Sequence, residues 1–299
     1  MENNQYKILV TGVAGFLGSH LSEQLSALGH NVIGIDNMLG GYKDNIPKDI
    51  EFHNIDCCDF EKMSKIMKDV DVIYHLAALP RIQPSFANPN KTFDSNVKGT
   101  QNIMEYARKL DIPVVYAGSS SSHGDKCANP YTHSKWLGEQ VVTMYNRIYN
   151  IPTAICRFYN VYGDYQLTEG AYCTVLGIFE RLFKAGEPLT ITSDGEQRRD
   201  FTQVDDIVDG LIRCGRSLKI PNEYHAKVSG QEFELGNGKN YSINELADAF
   251  GDYPREYIDE RPGEMRETLN TDNKAHKKLG WTPKVDIIEY IKENYILDK

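Results

Sequence analysis

A buried strand that runs into a glycine-rich turn and then into a helix is the feature that most constrains the fold of this 299-residue chain. Tyr6 to Val10 (YKILV) is mostly apolar, Thr11–Gly18 (TGVAGFLG) carries three glycines, and Phe16 to Leu28 has a helical pattern closed by Gly29. Glycines let the backbone turn tightly and approach another group closely. The N-terminus of the helix adds free N–H groups and a positive dipole end. The sequence therefore predicts a strand–turn–helix unit that can hold an anion.

The alternation of strand and helix signals continues to about Asn160. We expect strands at Asn31–Ile35, Glu51–Ile55, Asp71–Leu76, Pro113–Ala117 and Thr153–Phe158, and long helices at Thr92–Leu110 and Tyr131–Tyr149. This order predicts an α/β fold, in which a doubly wound, Rossmann-type parallel sheet is covered by helices on both faces. Ligands of such sheets bind at the carboxyl ends of the strands.

The second half is less regular and predicts a smaller C-terminal lobe. Short helices are expected at Ala171–Lys184, Val204–Cys214, Ser242–Phe250 and Asp286–Tyr295, between stretches rich in Gly, Pro and Asp. We assign residues 1–160 to a nucleotide-binding domain to which the chain returns near 200–236, and residues 161–199 and 237–299 to the lobe. Without a flexible linker, the two parts should pack on each other.

Charge and cysteine content exclude several classes of function. A formal net charge of -9 argues against a nucleic-acid-binding surface, which needs excess Lys and Arg. None of the six cysteines forms a CxxC pair and no histidine cluster has metal-ligand spacing, so we expect no metal and free thiols in a cytoplasmic protein. The polar N-terminus lacks a signal-peptide pattern, and no apolar run is long enough to span a bilayer.

Asp36, at the end of the second predicted strand, indicates which dinucleotide the turn would hold. A carboxylate in this position can bind both ribose hydroxyls of an adenosine and would repel a 2′-phosphate. We therefore expect NAD rather than NADP as the cofactor.

Tyr131 and Lys135 form a second motif, YxxxK, at the start of a predicted helix. Residues four apart share a helical face. A phenol is a poor base at neutral pH, and a neighbouring ammonium and a cationic nicotinamide would lower its pKa. Tyr131 could then take a proton from a substrate hydroxyl as hydride leaves the same carbon.

Together these motifs resemble the extended short-chain dehydrogenase/reductase family, and in particular its NAD-dependent nucleotide-sugar epimerases and dehydratases. Successive landmarks, from TGVAGFLGSHL through HLAA and NVKGT to YTHSK, match over nearly the whole chain, from Tyr6 to about Val285. The resemblance implies catalysis by Tyr131, Lys135 and a serine, for which Ser119 is the first candidate and Ser120 the second. It also implies the cofactor-binding residues Gly12, Gly15, Phe16, Leu17, Gly18, Asp36, Asn37, Asp56, Cys57, Leu76, Ala77, Ala78, Asn96, Tyr131 and Lys135. Asn96 would hold the structure beneath the site, and His75 should be a buried, hydrogen-bonded histidine.

The same resemblance implies that the chain has a smaller C-terminal substrate-binding lobe and that its substrate is a nucleotide-sugar, with a UDP group expected. Arginines match phosphate oxygens and a carboxylate matches a diol. The implied contacts are Asn160, Arg199 and Arg261 to the diphosphate, Glu264 to the ribose, and Thr268 beside the sugar. Arg198 and Arg266 are expected to be structural or peripheral. A small residue at position 268, together with Gly170–Thr174 (GAYCT), suggests that 2-acetamido sugars fit.

The local sequence bears on the reaction. Related dehydratases carry an adjacent Asp-Glu pair after the active Ser or Thr, and decarboxylating relatives carry a Glu; here those positions hold Ser120, Ser121 and Ser122. The expected reaction is therefore 4-epimerisation of UDP-glucose/galactose or their N-acetyl forms through a 4-keto sugar. A dehydratase, decarboxylase or 4-keto reductase of the same fold is the main alternative, and a non-catalytic NAD(H)-sensing protein is a distant one.

Two departures from the family concern the surroundings of the site. The stretch from Gly124 to Tyr131 is short, and His123 replaces the usual Tyr, so we expect either a more open active site or another loop that compensates. The family also pairs the helices Thr92–Leu110 and Tyr131–Tyr149 in a four-helix bundle, so a homodimer is expected.

Overall fold

A seven-stranded, wholly parallel sheet forms the centre of the structure, a computed structural model that describes residues 5–66, 68–219 and 228–296. Its strands are β1 (Lys7–Thr11), β2 (Asn31–Asp36), β3 (Glu51–Asn54), β4 (Val72–His75), β5 (Val114–Ser119), β6 (Thr153–Phe158) and β11 (Gln231–Leu235). Their order is β11-β6-β5-β4-β1-β2-β3. The chain leaves β1 for β2 on one side and later adds β4 on the other, so the sheet has its topological switch point at β1.

Helices cover both faces of this sheet. They are α1 (Phe16–Ala27), α2 (Phe60–Ile66), α3 (Ile82–Ala87), α4 (Pro89–Phe93), α5 (Gly99–Leu110), α6 (Pro130–Tyr149) and α8 (Val204–Lys219). Two separate apolar clusters result, one containing α1 and α8 residues and the other α5 and α6 residues. The doubly wound parallel sheet expected from the sequence is confirmed.

Smaller elements follow β6, and most pack around a third apolar cluster, whereas the helix Lys274–Leu279 places Ala275 and Leu279 in the cluster of α1 and α8. They are β7 (Val161–Tyr162), α7 (Val175–Ala185), β8 (Leu189–Thr192), β9 (Arg198–Asp200), β10 (Thr202–Gln203), β12 (Asn240–Ser242), α9 (Ile243–Asp248), β13 (Arg255–Ile258), α10 (Lys274–Leu279) and α11 (Ile287–Ile291). Three two-stranded sheets join β10 to β7, β12 to β9 and β13 to β8. In the described part of the chain, no helix is long and apolar enough to cross a membrane.

Two of the differences from the sequence expectations lie beside the central sheet. The single helix expected over Thr92–Leu110 begins already at Pro89 and contains a π-helical turn, Asp94–Lys98, which places the amide of Asn96 inward. The sequence pattern does not predict β11, because the strand is short and begins with the polar residues Gln231 and Glu232. This strand extends the sheet because five of its residues pair in register with Ala154–Phe158.

Candidate active site

One long cleft of about 520 Å³ lies at the carboxyl ends of the central strands, next to the switch point at β1. All but one of the sequence-predicted site residues line it, although they come from segments as distant as residues 12 and 268. We call its two parts the cofactor half (Gly12–Gly18, Asp36–Asn37, Asp56–Cys57 and Leu76–Ala78) and the substrate half (Asn160, Ala171–Thr174, Arg199, Arg261–Met265 and Thr268).

Two glycines of the glycine-rich turn, Gly12 and Gly18, lie too close to other backbone atoms to carry a side chain. Gly12 has a φ of +75°, and a Cβ there would stand 2.8 Å from the backbone nitrogen of Ala77. A Cβ on Gly18 would stand only 2.0 Å from the carbonyl oxygen of Gly12. Gly15 precedes α1 without a side-chain cap. The first N–H groups of α1 therefore remain available beside Phe16 and Leu17 in the cleft, as a pyrophosphate requires.

Two carboxylates mark the far end of the cofactor half. Asp36 is 9% exposed and accepts hydrogen bonds from the backbone N–H groups of Ala14 (3.1 Å) and Met38 (2.7 Å). Burial raises the pKa of Asp36, while these two bonds act in the opposite direction. Asn37 donates to Asp56 at 2.8 Å, which ties the ends of β2 and β3 together. This end of the cleft offers acceptors for ribose hydroxyls and suits an unphosphorylated adenosine.

A buried hydrogen-bond network supports the cleft wall formed by Leu76–Ala78. Thr11 Oγ1 accepts from the backbone N–H groups of Leu76 (3.1 Å) and Ala77 (3.0 Å) and contacts His75 Nδ1 at 2.7 Å. Burial lowers the pKa of His75 to about 3, so its ring is neutral, and its other nitrogen meets Thr100. His75 is thus the buried, hydrogen-bonded residue that the sequence suggested. Ala78 and the buried Cys57, whose thiol pKa is raised by burial, contribute apolar surface.

Asn96 is the predicted residue that does not line the cleft. It is 1% exposed, accepts from the backbone N–H of Leu79 at 2.7 Å, and donates to Ser134 Oγ at 2.9 Å. It therefore supports the cleft loop and α6 from beneath, as the resemblance implied, and unlike the other predicted cofactor-binding residues it does not line the described cleft.

Tyr131 and Ser119 meet where the two halves join. The capping side chain of Asn129 and a proline at the first position begin α6 directly before Tyr131. Ser119, the last residue of β5, places its Oγ 3.3 Å from the Tyr131 hydroxyl and 2.8 Å from Ser121 Oγ. Ser120 lines the cleft without a hydrogen bond to Tyr131 in the described structure. Of the two candidate serines, the geometry favours Ser119.

The sequence predicts that the Lys135 ammonium is adjacent to the Tyr131 phenol, but the ammonium has other hydrogen-bond partners. It donates to Ala117 O at 2.6 Å and to the Tyr116 hydroxyl at 3.2 Å, because α6 lies across the end of β5. Burial lowers the pKa of Lys135 to about 8. The pKa of Tyr131 is raised by burial, and the bond from Ser119 and the charge of Arg81 only partly oppose this. The lowered tyrosine pKa expected from the sequence also depends on the cationic nicotinamide, and it stays a prediction for the cofactor-bound protein.

Glu139 is a site residue that the sequence analysis missed. It lies one turn beyond Lys135 and is 1% exposed. Its carboxylate accepts from the Ser119 backbone N–H (3.2 Å) and from Ser122 Oγ (3.0 Å), and Arg157 pairs with it at 2.8 Å. The i, i+4 spacing to Lys135 was the available signal. Glu139 fixes the turn that carries Ser119.

The substrate half gathers its polar groups from four segments. Asn160 donates to Thr268 Oγ1 at 3.2 Å and to Asp200 O at 2.9 Å. Arg199 is held by backbone carbonyls and stands 3.9 Å from the Glu264 carboxylate. Arg261 and Glu264 enter the same cleft from the loop before Thr268. An anionic diphosphate can therefore meet Arg199 and Arg261 at once.

Arg198 and Arg266 lie outside the cleft, as expected. Arg198 pairs with Glu245 at 2.9 Å, and Arg266 makes two hydrogen bonds of 2.8 Å to Asp194. Both side chains serve the packing of the lobe.

The segment Arg261–Met265 fills the space left by the short stretch between Gly124 and Tyr131. A Cβ on Gly124 would meet the Met265 side chain at 3.2 Å, and Gln83 donates to Pro262 O at 2.9 Å. Asn129 also reaches Gly263 O at 3.4 Å. A loop from the far end of the chain thus closes over the catalytic turn.

Comparisons with known proteins agree with this site. A model of the family described as NAD dependent epimerase/dehydratase matches residues 8–226. A putative UDP-glucose 4-epimerase of Methanocaldococcus jannaschii is 36% identical, over 95% of this chain and 96% of its own length. UDP-glucuronic acid decarboxylase 4 of Arabidopsis thaliana is 30% identical over 93% of this chain and 65% of its own length.

Two solved structures have the same fold. UDP-glucose 4-epimerase of Thermotoga maritima, solved with UDP-glucose, has a TM-score of 0.88 at 28% identity and covers 96% of both chains. UDP-glucuronic acid 4-epimerase of Bacillus cereus, solved with UDP-glucuronic acid and NAD, has a TM-score of 0.83 at 28% identity over 97% of this chain and 98% of its own. The glycine turn, the carboxylate pair and the tyrosine–serine contact are all present in a cleft that fits a dinucleotide, and this chain belongs to the NAD dependent epimerase/dehydratase family of enzymes, an extended short-chain dehydrogenase/reductase group that uses NAD.

Proposed function

We propose that the protein epimerises a UDP-sugar at C4 through a transient 4-keto sugar. The observation that carries this proposal is the contact of 3.3 Å between Tyr131 and Ser119 in a part of the cleft that holds no second acid. The acidic side chains that line the described cleft are Asp36 and Asp56 at the adenosine end and Glu264 beside Arg199. Glu139 is buried behind the serine turn and bonded to Arg157.

In the proposed reaction, each of several cleft residues has a separate role. NAD, when bound, supplies the hydride acceptor and donor for C4. Tyr131 takes the proton from the C4 hydroxyl and later returns it, while Ser119 donates a hydrogen bond to the same oxygen. Lys135 contributes a nearby positive charge from its place on Ala117 and Tyr116. The closing loop Arg261–Met265 limits access of water to the site.

Elimination of water or loss of a carboxyl group would require acid–base groups that this part of the described cleft lacks. Ser120 and Ser121 line it where the related dehydratases are expected to place carboxylates. This difference favours epimerisation over dehydration or decarboxylation as the reaction.

Thr268 supports acceptance of 2-acetamido sugars. Its hydroxyl is engaged by Asn160 and by the Asp200 backbone, so its small side chain is held against the wall. A bulky residue at this position would fill the space instead.

We also propose a homodimer formed through α5 and α6. Apolar side chains are exposed near the ends of both helices: Leu110 at 48%, Met144 at 41%, Ile148 at 63% and Tyr149 at 47%. Burial of such side chains against a second copy would remove them from water. Analytical ultracentrifugation would test this, since a monomer at micromolar concentration contradicts it.

The test of the reaction is to incubate the purified protein, without added cofactor, with UDP-glucose, UDP-galactose, their N-acetyl forms and UDP-glucuronic acid. Products are followed by NMR. Interconversion at C4 supports the proposal and identifies the sugars that fit. A 4-keto-6-deoxy or a pentose product would instead establish a dehydratase or a decarboxylase.

A further inference from the structure

Arg81 is a charged group of the cleft to which the proposed reaction gives no role. Its backbone has a φ of 101°, a region that residues other than glycine rarely adopt. Its Nε donates to the carbonyl oxygen of Tyr172 at 2.9 Å. The side chain is thereby held on the cleft wall, against the segment Ala171–Thr174.

The guanidinium of Arg81 has no ion-pair partner among residues 5–66, 68–219 and 228–296. Arg157, which is largely buried, has three carboxylate partners, Glu139, Glu232 and Glu234. Burial lowers the pKa of Arg81, but a guanidinium stays protonated. A partly buried cation without an ion-pair partner pays part of the cost of desolvation uncompensated, and an oxyanion from a ligand would offset that cost.

The position of Arg81 indicates which part of a ligand it would meet. Ser85 Oγ accepts from the Tyr131 backbone N–H at 3.1 Å and donates to Ile82 O at 2.7 Å, so one buried serine joins the start of α3 to the catalytic tyrosine. Arg81 immediately precedes α3 and interacts electrostatically with both Tyr131 and Glu264. It therefore lies on the path from the diphosphate arginines to the reacting sugar carbon.

We propose that Arg81 binds an oxyanion of the substrate beside the sugar ring. The inference rests on the proposed function in one respect, the presence of a sugar diphosphate in the cleft. Two parts of such a ligand can carry an oxyanion that Arg81 could bind. One is the phosphate that carries the sugar, common to all these substrates, and the other is a carboxylate on the ring, found only in uronic acids. A guanidinium can bind either with two parallel N–H groups.

The test compares Arg81→Gln with a matched control, Arg181→Gln. Arg181 Nε donates to Thr168 O at 3.2 Å, so it anchors the same loop but lies outside the cleft. Titration calorimetry on the full chain with UDP, UDP-glucose and UDP-glucuronic acid gives Kd for each variant. We expect Arg81→Gln to raise Kd about tenfold or more, because it removes a charge-assisted hydrogen bond. The Kd of Arg181→Gln should stay near the wild-type value.

The three ligands separate the two sources. An equal loss for all three assigns the oxyanion to the phosphate, and a loss confined to UDP-glucuronic acid assigns it to the ring carboxylate. Arg81→Lys should recover only part of the affinity because it lacks the planar fork. If the wild type binds the ligands and Arg81→Gln binds them no worse than Arg181→Gln, the inference is overturned while the proposed function stands. If the wild type binds none of them, the proposed function fails and the inference fails with it.

Discussion

The two halves of the cleft are built by different means. The cofactor half consists of strand ends, one glycine turn and a helix N-terminus, all within the first 78 residues, and backbone groups do much of its work. The substrate half is assembled from loops between residues 160 and 268, and charged side chains such as Arg199, Arg261 and Glu264 line it. Backbone geometry leaves a strict sequence signature, whereas a loop arginine looks like any surface arginine until the fold places it.

The largest expected effect lies where the halves meet. Tyr131→Phe removes the hydroxyl that contacts Ser119 and should lower turnover by about 10³-fold, because no other described cleft residue beside the sugar can take the proton. NAD content and Tm should stay near wild type. Steady-state kinetics with thermal melts checks this, and near-normal turnover would rule out Tyr131 as the base.

Backbone packing in the cofactor half is tested by Gly18→Ala. Its new Cβ would stand 2.0 Å from Gly12 O, so we expect a loss of about 2–4 kcal/mol in unfolding free energy and of bound NAD. Gly40→Ala is the matched control in the same cleft, since nothing lies within 4 Å of its Cβ, and it should change stability by less than about 0.5 kcal/mol. Equal stability of the two variants in urea would contradict the close packing.

Cofactor choice in the same half is tested by Asp36→Ala. Loss of the buried carboxylate should weaken NAD binding by about tenfold and reduce discrimination against NADP. Fluorescence titration with both dinucleotides measures this. Unchanged Kd values for both would show that Asp36 only holds the Ala14 and Met38 backbone.

The buried ammonium between the halves has a pH signature. Lys135 has a folded pKa of about 8, below its value of about 10.4 in an unfolded chain. Between these values the unfolded state binds more protons, so this residue makes stability rise with pH above 8, by up to about 1.4 kcal/mol per unit. The stability of the wild type relative to Lys135→Met should therefore increase from pH 8 to pH 10 in chemical denaturation. A constant difference would place the ammonium in water.

The smallest effect is expected in the substrate half. Thr268→Tyr should reduce kcat/KM for acetamido sugars about tenfold more than for plain sugars, because the added ring occupies the space of the acetamido group. Equal losses on both would show that the hydrogen bonds of Thr268 to Asn160 and Asp200, rather than its size, matter.

Local sequence patterns were sufficient to predict many of the residues that line the cleft. The turn at Gly12–Gly18, the acid at Asp36 and the Tyr131–Lys135 pair are each read from contiguous residues, and the structure places all of them in one cleft. Glu139 and Arg81 escaped notice because their neighbours, Arg157 and Tyr172, are remote in sequence. The strand β11 escaped for the same reason, since its pairing with β6 spans about 77 residues.

The sequence by itself determined the parallel sheet, the dinucleotide turn and the helix that carries Tyr131 and Lys135, because strand and helix periodicity and glycine conformation are local properties. Only the tertiary structure decided that Ser119 rather than Ser120 meets Tyr131, that the ammonium of Lys135 bonds Ala117 and not the phenol, and that Arg261–Met265 closes the site. These depend on how β5, α6 and distant loops meet. A shift of a few ångströms between packed elements changes which polar groups touch and how far burial moves their pKa values, and no local pattern encodes that shift.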